Sequence, residues 1–439
     1  MSALRLASGL ALIFSATCIG YPVDAQQPAA AGRGECVTFQ TALATAAAFS
    51  PSAQVELAQR DIAFARLEEL RATAWPQVSL FGRSLAGDAD LSDAQIANQM
   101  GLRVTQDIFD FSKRTFQEKA VGYDLQSARQ LSDASKDVAA LDVGLAYLQA
   151  LEAREQTVAL SDEVESLSLL SRTLQELSTG GGATVDEVLE TNARLAALEA
   201  QVAQLQLLEM QAKSTVGLLT GVETLEICPS PNLDAELAAS HARLAGSDEA
   251  LRQAIVAHPR VQAANLTIMA SSAKLDYERN AWLPTLRGVG TYAYGQDDAN
   301  RNWDQRSSLG LEFSVPLFSG GAQNAREKAA SARSTQATKS RDLAVLELEQ
   351  QFRRALQTYD FGANQYRHRV QATDYKRQQT ALLKDAYDDG ARTLRELLEV
   401  QSELTANEFA SISNRFELLR AALTIHVLAG DANIRTGVR

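Results

Sequence analysis

The feature that most constrains this chain is that it repeats itself. Pro51, Pro76 and Gly82 recur as Pro259, Pro284 and Gly290, a constant 208 residues later. After one inserted residue the spacing becomes 209, carrying Phe109 onto Phe318, Glu118 onto Glu327 and Lys119 onto Lys328. The same spacing places "TVDEVLE" (184–190) on "TLRELLE" (393–399) and "LLTG" on "VLAG". A match this long with a single insertion marks an internal duplication, so whatever one half folds into, the other repeats.

Within each half one stretch interrupts long helical patterns. In the second half it is 282–321, "WLPTLRGVGTYAYGQDDANRNWDQRSSLGLEFSVPLFSGG". Leu309, Leu311, Phe313, Val315 and Leu317 alternate with Ser308, Gly310, Glu312 and Ser314, the period of a strand. Leu286, Tyr292 and Tyr294 share a face opposite Arg287 and Thr291, and the polar, glycine-bearing "GQDDANRN" reads as the turn. Pro284 and Pro316 mark the two ends, where neither could continue a helix. The first half has a weaker counterpart. There Val78 and Leu80 alternate with Gln77 and Ser79, and Leu102, Val104 and Ile108 alternate with Arg103, Thr105 and Asp107. A polar face carrying Arg103, Arg287 and Glu312 suits an aqueous lumen better than a dry sandwich core.

Each half therefore reads helix, hairpin, very long helix, break, helix. The expected spans are 37–74, 77–110, 112–178 and 184–219, then 247–281, 285–318, 321–388 and 393–428. A helix of about 67 residues would be a rod of roughly 100 Å. Leu131, Val138 and Leu145, with Ala134, Leu141 and Leu148, step by seven, as do Leu160, Leu167 and Leu174, and Val345, Phe352, Tyr359 and Tyr366. Such seams are coiled-coil-like, and charges such as Glu152, Arg154, Asp162 and Glu165 are expected on the water-facing side.

Composition agrees with long helices meeting along narrow seams: 46% apolar, only 6% aromatic and 9 prolines. A net charge of −12 argues against nucleic acid. Residues 1–25 have a positive start at Arg5, an apolar run and a small-residue site at Val23 and Ala25, the pattern of a secretory signal. Cys18 offers a lipoprotein alternative that Ser15 and Thr17 fit poorly. The two other cysteines, Cys36 and Cys228, stand just outside helical runs in an oxidising compartment, either bridged or as two free thiols. No later segment has 18 consecutive apolar residues, so membrane insertion would have to use strands.

Four strands cannot close, and an open edge in lipid leaves backbone groups unpaired at several kcal/mol each. A barrel needs several copies of the chain: two give eight strands and a filled interior, three give twelve and room for water.

The signal, the duplicated plan, the "WLP" strand entry, the "VPLFSGG" exit and "AYDDGARTLRELLEVQSELTANE" (386–408) together resemble the outer membrane efflux proteins. The resemblance covers nearly all of the chain after residue 25. It implies an α+β channel-tunnel with four transmembrane strands per protomer, a twelve-stranded barrel as a homotrimer, and a periplasmic α-helical barrel. It divides the chain into a signal peptide (1–25) and two repeats, 26–227 and 228–439. It implies a passive conduit of tripartite efflux or type I secretion, partnered by outer membrane lipid, a periplasmic adaptor and an inner-membrane RND or ABC transporter. Gate roles fall on Tyr387 and Arg392, and an acidic ring on Glu396 and Glu399. Positions three apart share a helix face, so both carboxylates can point one way. Gly180, Gly181, Gly182 and Gly390 would make the tip turns and present an outer surface to the adaptor, with Glu187 or Asp186 as gate partner in the first repeat.

Enzyme readings find no support: His241, His258, His368 and His426 form no metal-ligand spacing, and no nucleophile elbow, phosphate loop or cofactor motif is present. "GVGTYAYG" opens no helix and lies in an expected strand. The competing reading is a soluble periplasmic coiled-coil adaptor or structural protein, which would have no use for two strand pairs at matched positions.

Overall fold

The computed structural model describes residues 36–84, 98–222, 226–228, 233, 237, 241–242, 247–296 and 303–430. The expected signal, its Cys18 alternative and most of the "GQDDANRN" turn lie outside the described residues.

The first half runs α1 (Phe39–Phe49), α2 (Pro51–Ala72), β1 (Gln77–Ser84), β2 (Asn98–Phe109), α3 (Lys113–Thr179) and α4 (Val185–Thr220). The second runs α5 (Asp248–Ala257), α6 (Pro259–Asn280), β3 (Thr285–Gln296), β4 (Trp303–Ser314), α7 (Ala322–Asp388) and α8 (Leu394–Leu428). The opening helix of each half is thus two helices. Pro51 and Pro259 take the first helical position, where a missing N–H costs nothing, and hold Ser50 (ψ 135°) and His258 (ψ 134°) out of helical geometry. β4 ends at Ser314, short of the expected Leu317, because Pro316 cannot donate to a ladder.

The strands form one antiparallel sheet in the order β1-β2-β3-β4, so β2 and β3 join the two hairpins and β1 and β4 are edges. The register puts Val104 beside Val78 and Gly290, and Gly290 beside Leu309; one rung on, Leu102 lies between Leu80 and Tyr292. All these residues share a face, and it is uncovered in the protomer, with Leu309 at 91% and Leu80 at 79% exposure. The opposite face carries Arg103, Asp107, Arg287, Thr291, Ser308 and Glu312. An apolar outer band over a polar inner face is the pattern of a membrane β-barrel wall, the reverse of a soluble hairpin packed on a core. Twelve-residue strands extend about 40 Å, enough to cross a bilayer with tilt.

Sheet turns into helix through a left-handed pair at the same place in each half. In the second half Gly320 (φ 61°) and Gly321 (φ 82°) provide it, as glycine readily does; in the first Phe111 (φ 52°) and Ser112 (φ 69°) accept the same geometry. Beyond it α3 and α7 each run 67 residues, about 100 Å by helical rise.

α3 packs on α4, α6 and α8, and α7 on α8 and α6. The largest core surrounds the middle of α3, where Val143, Tyr147 and Leu148 meet Leu43, Val216, Phe416 and Leu423. The heptad seam holds for Leu160, Leu167 and Leu174, all buried, but not for Leu131 and Val138, which are 42% and 48% exposed. Ala134 of that seam is buried as expected, and the stripe beside it runs through the small residues Ala139 and Ala140, which allow close helix approach. Glu152 and Arg154, expected to face water, are half-buried in ion pairs with Arg420 of α8 and Glu209 of α4, the latter at 3.0 Å.

Cys36 and Cys228 are joined by a disulfide, with Cα atoms 5.0 Å apart. Beside it Val37 bridges Ile227, and the buried Tyr147 hydroxyl donates toward both Cys228 O (2.8 Å) and Val37 O (3.1 Å). The start of the described chain is thereby fastened to the connection between the halves. Among the described residues no helix is long and apolar enough to cross a membrane.

Candidate gate at the helical tip

The long helices end in two turns built alike. Gly181 (φ 78°) and Gly390 (φ 72°) reverse the chain in the left-handed region. Gly182 N–H donates back to Leu177 O and Ala391 N–H to Ala386 O, satisfying final-turn carbonyls. Gly180, at φ −95°, keeps helical geometry that any residue could adopt. α4 and α8 then start with matching capping boxes: Thr184 N–H donates to Glu187 Oε2 at 2.8 Å, and Thr393 N–H to Glu396 Oε2 at 3.3 Å.

Among the residues expected to form a gate, Arg392, Glu396 and Glu399 line one cleft of about 450 Å³ together with Gln379, Leu382 and Ala386. Glu396 is partly committed, since its carboxylate serves the cap and also lies 3.6 Å from Arg392. Glu399 is exposed. Tyr387 is elsewhere: it packs on the apolar cluster of Leu167, Leu174, Leu394 and Leu398, against the other hairpin. Burial pushes its phenol above the usual tyrosine range, and the nearby carboxylates of Glu187 and Asp388 add to the shift.

Arg395 is the residue that sequence reasoning missed. Its guanidinium reaches from α8 to Glu190 (3.4 Å) and Asp186 (3.9 Å) on α4. The duplication contains the signal, because Asp186 and Arg395 occupy matched positions with opposite charge. Further from the tip the hairpins are held together by Glu155–Arg415 (2.9 Å), by Gln156–Ser413 (3.0 Å), and by Glu163, which is 6% exposed and pairs with both Arg194 (3.2 Å) and Thr405. Among the described residues no group of histidine, cysteine and carboxylate side chains could hold a metal.

A sheet with one apolar and one polar face, continued by long rods that turn back at their far end, has the architecture of a channel-tunnel protomer. The family model described as "Outer membrane efflux protein" matches residues 250–431. The pyoverdine export outer membrane protein OpmQ of Pseudomonas aeruginosa is 24% identical over 294 residues, 66% of this chain and 60% of that protein. TolC of Escherichia coli is 24% identical over 414 residues, covering 88% of this chain and 80% of TolC. Among solved structures, CusC superposes with a TM-score of 0.77 at 14% identity over 89% of this chain and 92% of CusC. Residues 250–431 thus resemble the outer membrane efflux proteins, and the chain shares its fold with CusC. Both relatives are outer membrane proteins by name, and OpmQ is an export protein, which favours the channel reading over the soluble adaptor.

Proposed function

We propose that this chain forms, as a homotrimer, the outer membrane conduit of a tripartite efflux or type I secretion system, gated at its periplasmic tip. The observation that carries the proposal is the sheet: β1 and β4 each have an unpaired edge, and one whole face is apolar and uncovered. Lipid tolerates neither free edges nor partial barrels, so closure needs further copies, and three give a twelve-stranded wall around water. Residues 26–227 and 228–439 are the two repeats of each protomer. Tyr387 and Arg392 hold the tip closed, while Glu396 and Glu399 from three protomers form acidic rings that attract cations. The outer surface around Gly180, Gly181, Gly182 and Gly390 meets a periplasmic adaptor, which couples the tunnel to an inner-membrane RND or ABC pump. Drugs or secreted polypeptides then pass without chemistry in this chain.

The test is a tagged chain purified from membranes. Heat-modifiable trimers in the outer membrane, with adaptor and pump retained after cross-linking, are the expected result; a soluble periplasmic monomer would reject the reading. In planar bilayers, Glu396→Ala with Glu399→Ala should lower cation selectivity and block by multivalent cations.

A further inference from the structure

The middle of the sheet's polar face carries two arginines that its one ion pair among the described residues, Arg287–Asp107, leaves unused. At the helical end the face neutralises itself: Arg287 Nε donates to Asp107 Oδ1 at 2.7 Å, with Glu312 opposite on β4. The next rung, through Thr105, Val289 and Gly310, is uncharged. The following two rungs carry Arg103, between Ser79 and Thr291, and Arg306, opposite Ala293. A carboxylate returns only on the far rung, where Asp304 shares its level with Arg83. Both middle arginines are exposed, and neither is in an ion pair among the described residues. Arg103 is seated over the Phe81 ring, its Cζ 4.9 Å from the ring centroid.

We propose that Arg103 and Arg306 form an anion-binding belt in the lumen that sets preference for solutes bearing carboxylate or phosphate groups. This rests on the channel reading above, because only closure of the sheet turns two arginines per protomer into a ring of six. The rungs are about 7 Å apart along the strands and the two residues about 10 Å apart across them, so one belt covers both. Guanidinium groups match carboxylate and phosphate in a two-point fashion, and a narrow wet lumen with low-dielectric walls concentrates their field. The belt is opposite in sign to Glu396 and Glu399 at the tip, so the two ends of the tunnel select differently.

The experiment uses the full chain in planar bilayers under a KCl gradient, with citrate as the probe on the strand side. The expected result is block of the parent channel by citrate, weakened about tenfold in Arg103→Gln/Arg306→Gln, with the reversal potential moved toward cation selectivity. Arg103→Lys/Arg306→Lys, which keeps the charge, should retain most of the block. Conducting glutamine variants with unchanged block and reversal potential would overturn the belt. Should the double variant fail to assemble, Arg306→Gln alone, whose partner on β3 is Ala293, has the same test. A parent chain that never conducts would instead reject the channel reading.

Discussion

Arg395 on α8 lies 3.4 Å from Glu190 and 3.9 Å from Asp186 on α4, so one cation between two anions joins the two hairpins of a protomer at their tips. All three side chains are solvent-facing, so the two pairs together contribute about 1 kcal/mol or less. Arg395→Ala is expected to raise the open population of the channel by up to about fivefold, read as open time in bilayers. High salt should reproduce part of that gain in the parent. The reversed pair, Arg395→Glu with Glu190→Arg, should return it toward the starting value. No change in any of these would remove Arg395 from the gate.

Tyr387 gives the tip an alkaline limit. A phenol whose folded value is raised contributes stability that is fully present below its ordinary value of 10.0 and is lost as pH climbs through the raised one. The tip should therefore hold at neutral pH and loosen above about pH 10, as tyrosinate forms against an apolar cluster and two carboxylates. Absorbance titration of the parent minus Tyr387→Phe would show this phenol ionising late. Ionisation at or below the ordinary value would contradict its burial against Leu394 and Leu398.

The disulfide closes a loop with a sequence separation of 192 residues. In the chain-entropy account such a loop stabilises by up to about 5 kcal/mol, an upper bound that native strain and residual structure reduce. Cys36→Ser should lower the thermal midpoint, and reductant should lower it in the parent but not in the variant. Alkylation without reductant should leave both cysteines of the parent unlabelled; labelled thiols would show the bridge absent.

Leu309 and Ser308 test which side of the sheet meets lipid. Leu309→Arg should cost about 2–4 kcal/mol if it lies near the bilayer midplane, and reduce heat-modifiable trimers. Ser308→Arg, on the polar face, should assemble normally. Equal tolerance at both positions would mean that neither face is in lipid.

The strands were legible because their alternation needs only one chain and one periodicity: Leu309, Leu311 and Phe313 in the sequence are the exposed apolar row in the structure. The long helices were legible for the same reason, and prolines account for the breaks at Ser50 and His258 once their local geometry is seen. What composition and period do not encode is pairing between hairpins more than 200 residues apart. Arg395–Glu190, Glu155–Arg415 and Glu163–Thr405 depend on which helix faces which, so Arg395 passed unnoticed and Glu152 was assigned to water. Leu131 shows the opposite error, a heptad position left 42% exposed in the protomer.

The 67 residues of α3 are matched by 67 in α7, and each begins at an equivalent left-handed turn. Like two legs of one stool, the helices bring both glycine turns to the same height. Losing a single heptad from one alone would leave its foot about 10 Å short, and the capped ends at Thr184 and Thr393 would no longer stand level. Length in this protein is consequently inherited in pairs: a deletion in one helix is tolerable only when its twin shortens by the same number of turns.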